Sequence, residues 1–123
     1  MTERKVVMQD LAQEKNFENR VKQFMRENGS WFVKYWGGGE YTKAGVPDIL
    51  ACIGGMFVGI ELKAPRGKAS DLQLYNLKRI DRNGGYGILL YPKDFDKFKI
   101  LFLHLKQGNF NEADQIYQEM KGW

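Results

Sequence analysis

Several kinds of site are excluded by what the sequence has little of. Among its 123 residues there is one cysteine, Cys52, and one histidine, His104. A single cysteine excludes an internal disulfide framework and a zinc site built from cysteines. The histidine lies in an apolar C-terminal run, so we interpret it as structural, and the sequence offers no Ser-His or Cys-His pair for acyl transfer. Cys52 lies between apolar residues and is predicted to be a small buried side chain.

Long hydrophobic runs are absent as well. The longest mostly apolar stretch, residues 49–60, is too short for a membrane helix, which needs about 18–20 such residues. The charged N-terminal residues do not resemble a signal peptide, so we expect a soluble protein of the cytoplasm. Apolar residues make up 43% of the chain, which predicts one folded domain over residues 1–123. The net charge of +4 slightly favours a polyanionic partner.

The pattern of apolar residues predicts the element order α-β-β-β-α-β. A helix is predicted over residues 14–28, where aromatic and aliphatic residues recur at helical spacing. An aromatic and β-branched first strand is predicted over residues 31–36. The next two strands flank Gly54-Gly55, because a Gly-Gly pair between strand patterns predicts a hairpin. Both faces of this hairpin are apolar, so we expect helices to cover both.

The second half of the pattern predicts a parallel crossover. Ser70 and Gln73 match a capping box, which predicts the start of a helix that runs to about residue 82. Residues 86–91 predict a buried strand, parallel to the third strand through a right-handed connection. Residues 94–121 predict helical segments that either complete the core or form a subunit contact. The predicted fold class is therefore α/β, with a mixed sheet flanked by helices and an extra C-terminal helical segment.

The predicted hairpin brings two carboxylates together. A two-residue loop at Gly54-Gly55 fixes the register, so that Asp48 lies opposite Glu61, with Lys63 two positions on and on the same face. Side chains opposed in this way have Cβ atoms roughly 4.5–5.5 Å apart, and two carboxylates at that separation repel each other. A divalent cation would offset the repulsion. The register therefore predicts a metal site with a lysine beside it.

This group suits the hydrolysis of phosphodiesters. Two carboxylates can hold Mg²⁺ or Mn²⁺, which binds phosphate oxygens and lowers the pKa of a bound water. Lys63 could orient that water, take its proton or stabilise the transition state. Alternatively, Asp48 is a turn residue, and Glu61 and Lys63 are an exposed pair on an edge strand. That alternative conflicts with the surroundings, because both strands are otherwise almost wholly apolar.

Basic residues on the neighbouring loops predict contacts with phosphates. Lys43, Arg66 and Lys68 flank the carboxylates in the sequence. Contacts of this kind position a protein on a nucleic-acid backbone and make binding sensitive to salt. The composition shows no basic recognition helix that would contact base edges, which fits recognition by shape.

Two motifs resemble those of a known family. The sequence has the motifs Val46-Pro47-Asp48 and Glu61-Leu62-Lys63. They resemble the signature of the PD-(D/E)XK nucleases, and the predicted element order resembles the core of that superfamily. Residues 45–49, 60–64 and 70–73 are similar to the VRR-NUC family in particular. The resemblance covers about residues 14–92 and implies a restriction-endonuclease-like fold.

The resemblance also implies roles for individual residues. Asp48, Glu61 and the carbonyl of Leu62 would be metal ligands, and Lys63 would position or activate water. Family members often carry a glutamate on the first helix, and Glu18 is the matching position, which implies a catalytic role as a further ligand.

Two of the implied roles leave alternatives open. Glu14 competes with Glu18 for the role of the helix carboxylate, and Glu18 could also be an ordinary solvated charge. The family often has a glutamine early in the second helix, which matches Gln73 and implies a catalytic role. The capping box with Ser70 explains that glutamine nearly as well, and one side chain can serve both purposes.

As a whole, the resemblance implies a Mg²⁺- or Mn²⁺-dependent endonuclease that acts on DNA. Small phage-encoded members of the family imply a homodimer that resolves four-way (Holliday) junctions, in the host cytoplasm if the protein is phage-encoded. A two-fold dimer suits a substrate with paired, symmetry-related scissile bonds. The alternatives are a restriction-type nuclease, a flap or fork nuclease of the same fold, and a DNA-binding scaffold without catalysis.

Overall fold

A four-stranded mixed sheet with helices on both faces makes up the fold, as the sequence predicts. The computed structural model describes residues 2–40 and 42–123. The helices and strands are, in chain order, α1 (Glu3–Glu27), β1 (Trp31–Lys34), β2 (Ile49–Ile53), β3 (Met56–Leu62), α2 (Asp71–Arg82), β4 (Tyr86–Leu90), α3 (Phe95–Gln107) and α4 (Phe110–Met120). In these two ranges no helix combines the length and the apolar character that a membrane span requires.

The strands are arranged in the order β1-β2-β3-β4, with the first three antiparallel and β4 parallel to β3. The hairpin of β2 and β3 has the predicted register. Ile49 pairs with Ile60, so Asp48 and Glu61 are the next two residues facing each other beyond that pair. The turn at Gly54-Gly55 requires glycine, because its two residues have φ values of 59° and 84°.

One face of the sheet forms the core together with α1, α3 and α4. The hairpin residues predicted to lie on this face are all buried, namely Ile49, Ala51, Ile53, Val58, Ile60 and Leu62. Phe17 and Val21 of α1 and Phe98 and Phe102 of α3 fill the same core. Of the two predictions for residues 94–121, the first is therefore confirmed, since this segment completes the core.

On the other face, α2 packs against β4 and β3. Gly87 of β4 permits this close approach, because a Cβ at that position would collide with the backbone of Leu77 in α2. The helix is only wide enough to cover these two strands. The prediction that helices cover both faces completely was therefore wrong for β1 and β2.

The uncovered part of the sheet is apolar, and we call it the open sheet face. It consists of Trp31, Val33, Leu50, Cys52 and Phe57, which the strand pairing places on one side. Trp31 is 65% exposed and Phe57 is 48% exposed. Cys52 is exposed rather than buried as predicted, because α2 packs over β4 and β3 and not over its part of β2.

Helix α1 begins at Glu3, so the helix predicted over residues 14–28 continues towards the N-terminus. The sequence left residues 1–13 open as either a frayed segment or a short helical arm, and the second alternative holds for the residues from Glu3 onwards. Thr2 caps its start by accepting a hydrogen bond from the backbone N–H of Lys5. Val7, Met8 and Leu11 of the first turns are exposed. These N-terminal turns bury no apolar residues against the core. The helical spacing of apolar residues that predicts the core-facing part of α1 is therefore missing from them.

Candidate active site

The structure brings Asp48, Glu61 and Lys63 together at one edge of the sheet. Asp48 directly precedes β2, and Glu61 and Lys63 lie at the end of β3. A carboxylate oxygen of Asp48, Oδ2, accepts a hydrogen bond of 2.8 Å from the backbone N–H of Leu62. The ammonium of Lys63 lies 3.8 Å from Oε2 of Glu61. The hairpin thus fixes two carboxylates and one ammonium in a small volume.

Glu61 is the most constrained of these side chains, because it is only 3% exposed. Burial, followed by the neighbouring charge of Asp48, raises the pKa of Glu61 to about 8. Near neutral pH the side chain therefore holds a proton for much of the time in the absence of a cation. Among the described residues, its oxygen Oε1 has no hydrogen-bond partner. A buried oxygen without a partner is the kind of atom that a metal ion would satisfy.

Gln73 caps α2 and also contacts Glu61 of the candidate site. Its backbone N–H donates to Ser70 Oγ at 3.1 Å, and its amide oxygen accepts from the Ser70 backbone N–H at 2.9 Å, which completes the capping box. Its amide nitrogen also donates to Oε2 of Glu61 at 3.2 Å. The same side chain thus caps α2 and orients a carboxylate of the site. Its catalytic role stays a prediction.

Glu18 points from α1 into a cluster of lysines. It is 6% exposed and forms ion pairs with Lys34 at 2.5 Å, with Lys15 at 3.0 Å and with Lys22 at 3.2 Å. Although burial opposes it, hydrogen bonds from Lys34, Lys15 and Lys22 lower the pKa of Glu18 to about 2. Glu18 is therefore a permanent carboxylate, as a metal ligand must be, but its oxygens are already engaged.

Lys34 is a site residue that the sequence did not reveal. It ends β1, and its ammonium lies 2.5 Å from Glu18 and 3.5 Å from Oδ1 of Asp48. No group of three or more His, Cys, Asp or Glu side chains within residues 2–40 and 42–123 is arranged to hold a metal ion. Lys34 instead bridges the helix carboxylate and the hairpin carboxylate.

Glu14 lies on the same side of α1, and it lines a cleft of about 210 Å³ with Lys63 and Lys68. Burial, modified by the charges of Lys63 and Asp48, raises the pKa of Glu14. It is thus electrostatically coupled to the site, and it stays an alternative to Glu18. The cleft is open to solvent beside Asp48, Glu61 and Lys63, so that a substrate phosphate could reach Lys63.

The three predicted phosphate contacts do not lie together. Lys68 lines the cleft beside Lys63, whereas the neighbouring Arg66 forms an ion pair of 3.0 Å with Asp10 of α1. Lys43 lines a separate cleft of about 370 Å³ next to α2. The loop that follows β3 is therefore the basic segment nearest to the carboxylates.

A hard divalent cation fits the donors that are present. Mg²⁺ often binds through one or two carboxylates and keeps several waters or phosphate oxygens as its other ligands. Asp48 and Glu61 provide two carboxylates. Oε1 of Glu61, which has no hydrogen-bond partner within residues 2–40 and 42–123, provides a buried lone pair. With a lysine beside them, these groups can neutralise charge at a phosphate and orient a water molecule.

Comparison with known proteins places these residues in a family context. The family model described as archaeal Holliday junction resolvase (Hjc) matches residues 10–108. This range is most of the chain and includes the carboxylates of the hairpin, both candidate glutamates of α1, Lys34, Lys63 and Gln73. Neither the curated proteins nor the solved structures gave a significant match.

Proposed function

The chain belongs to the archaeal Holliday junction resolvase family, and from this we propose that it is a Mg²⁺- or Mn²⁺-dependent endonuclease that cuts four-way DNA junctions. The observation that carries the metal-dependent mechanism is the paired arrangement of Asp48 and Glu61, with a buried oxygen of Glu61 that has no hydrogen-bond partner in the described part of the chain. Two carboxylates, an ammonium and an open cleft suit phosphodiester hydrolysis, as argued from the sequence.

In the proposed mechanism, Asp48 and Glu61 would hold the cation, and the carbonyl of Leu62 would be a further ligand. The bound cation would supply positive charge at the scissile phosphate and a more acidic water. The Leu62 N–H fixes one carboxylate, and the amide of Gln73 fixes the other. Lys63 is placed to donate hydrogen bonds to an attacking water or to a phosphate oxygen as charge develops there.

The substrate claim is tested with a panel of labelled DNAs: a four-way junction, a flap, a fork and a linear duplex, each with Mg²⁺ and with EDTA. We expect paired, symmetric cuts in the junction that require the metal. Cleavage rates on linear duplex should be at least about 10²-fold lower, because straight DNA lacks the branched shape that the enzyme recognises. Fixed-site cutting of the duplex would instead support a restriction-type nuclease. Junction binding without cutting would support a scaffold.

We also propose that the protein acts as a homodimer, and the open sheet face supports this. Most of this face lies on β1 and β2, two strands that together span roughly 10 Å, which is the width of one helix. Helix α2 exposes Leu72 and Tyr75, at 47% and 52%, and its Arg79 shares a cleft with Phe57 of the open face. A two-fold axis could therefore place α2 of each copy over the uncovered strands of the other.

Sedimentation velocity tests this arrangement. We expect the wild-type protein to sediment as a dimer and Trp31→Glu to dissociate, with a dimer Kd raised at least about 100-fold, because the change buries an unpaired charge. The control is Ile100→Glu, which alters an exposed apolar residue of α3 outside the open sheet face. A monomeric wild type, or equal effects of the two substitutions, would contradict the proposal.

The finer features of the family resemblance stay predictions. They are membership of the VRR-NUC branch, a phage origin, a location in the cytoplasm (the host's, for a phage protein) and a single nuclease domain over residues 1–123. The role of Glu18 as a metal ligand is also a proposal, and so are the contacts of Arg66, Lys68 and Lys43 with DNA phosphates.

A further inference from the structure

Lys34 lies where two carboxylates of the candidate site meet. Its ammonium is 2.5 Å from Oε1 of Glu18 and 3.5 Å from Oδ1 of Asp48, and its side chain is 19% exposed. It also lies over the ring of Trp36, at 5.6 Å from the centroid. The ammonium thus contacts groups from α1, from the residue that precedes β2 and from the segment that follows β1.

The two carboxylates depend on Lys34 to different degrees. Glu18 has two further ion pairs, with Lys15 and Lys22. Asp48 has no other lysine or arginine partner in the part of the chain that the structure describes. Without Lys34, Asp48 would keep its hydrogen bond from the Leu62 N–H and would face the carboxyl group of Glu61 without a neighbouring ammonium from the described residues.

We propose that Lys34 is an internal counter-ion, which holds Asp48 in the metal-free protein and competes with the divalent cation for that carboxylate. The inference rests on the proposed function, because it takes Asp48 to be a ligand of the cation. An ammonium and a divalent cation on one carboxylate repel each other. The cation therefore binds only as Lys34 gives up Asp48, and Glu18 is the carboxylate that can keep the ammonium nearby. Lys34 is a positioning residue in this scheme.

A purely structural ion pair makes a different prediction. If Lys34 only stabilised the fold, its removal would lower the melting temperature and leave the affinity for metal unchanged or weaker. Competition predicts the opposite for affinity, since removing the competing charge leaves Asp48 free for the cation. Metal affinity measured without DNA and without turnover therefore separates the two roles.

The experiment measures Mn²⁺ binding to the full chain by the electron paramagnetic resonance signal of free Mn²⁺. We expect Lys34→Met to bind Mn²⁺ about tenfold more tightly than the wild type, because a unit charge a few ångströms from the ion is removed. Lys34→Arg, which keeps the charge, should stay close to the wild type. The melting temperature of Lys34→Met in EDTA should fall, and Mn²⁺ should restore it.

Lys22→Met is the matched control. It removes the same charge from a side chain of similar exposure, 16%, that pairs with Glu18 and, among the described residues, has no ion pair with Asp48. We expect it to change Mn²⁺ affinity by less than about twofold. Asp48→Asn should abolish binding. If Lys34→Met does not fold, Lys34→Gln, which keeps hydrogen-bond donors without the charge, is measured with the same expectation.

Two results would overturn the inference. The first leaves the proposed metal site intact, and the second removes it as well. If Lys34→Met and Lys22→Met bind Mn²⁺ alike, Lys34 does not compete, while loss of binding in Asp48→Asn would still uphold the proposed metal site. If neither the wild type nor Lys34→Met binds Mn²⁺, both the competition and the metal-dependent function fall.

Discussion

Replacing Asp48 by asparagine is expected to lower the rate of junction cleavage by about 10³-fold or more. The change removes one of the two carboxylates that face each other across the hairpin, and an amide oxygen is a much weaker ligand for a hard cation. Loss of a single group that stabilises charge in a transition state commonly costs 10²–10³-fold, and loss of a metal ligand removes the ion's contribution as well. The rate is measured under single-turnover conditions with excess protein.

Junction binding provides the internal check on this result. We expect Asp48→Asn to bind the junction in EDTA about as well as the wild type, because the substitution leaves the basic loop after β3 intact. The control Asp96→Asn changes an exposed carboxylate on α3 and should cut at the wild-type rate. Wild-type cleavage by Asp48→Asn would show that this carboxylate does not hold the cation.

The stability of the metal-free protein should fall as the pH rises from about 5 to 8.5, and Glu61 is the reason. In the unfolded chain its pKa has the ordinary value of 4.5, whereas burial and then the charge of Asp48 raise it to about 8 in the fold. Between these values the folded state binds the additional proton. The contribution of Glu61 to stability is therefore fully present below pH 4.5 and is lost as the pH rises through 8. The loss is on the order of 5 kcal/mol.

Glu61→Gln tests this directly by urea denaturation in EDTA at several pH values. The neutral side chain should remove most of the decline, so that the variant exceeds the wild type in stability at pH 8.5. Adding Mg²⁺ at that pH should restore the wild type, which then binds the ion as a carboxylate, but not the variant. Glu119→Gln, which changes an exposed side chain, should keep the wild-type profile. A flat wild-type profile would contradict the raised pKa of Glu61.

The part of the site that the sequence predicted depends on interactions between residues that are close together in the chain. Gly54-Gly55 fixes the hairpin register within a few residues, and that register alone places Asp48 opposite Glu61. The capping box of Ser70 and Gln73 is equally local, since both partners lie within one helical turn. These predictions needed no knowledge of how distant segments pack.

The remainder depends on contacts between segments that are far apart in the chain. Lys34 meets Asp48 only because β1 pairs with β2, and residues 35–48 separate the two strands. No turn signal fixes that register, so the lysine could not be placed. The exposure of Cys52 likewise depends on where α2 comes to lie, which the apolar pattern of β2 alone does not reveal.

The side chain of Gln73 links the beginning of α2 to the carboxylate of Glu61. Both ends of its amide are in use, one on Ser70 and the other on Glu61, so the side chain has little rotational freedom left. A segment of six residues, 64–69, carries Arg66 and Lys68 and leads directly into that helix start. If DNA binding shifts this segment, the start of α2 would shift with it, and Gln73 would transmit the movement to Glu61. Substrate binding and the position of the Glu61 carboxylate would therefore be coupled.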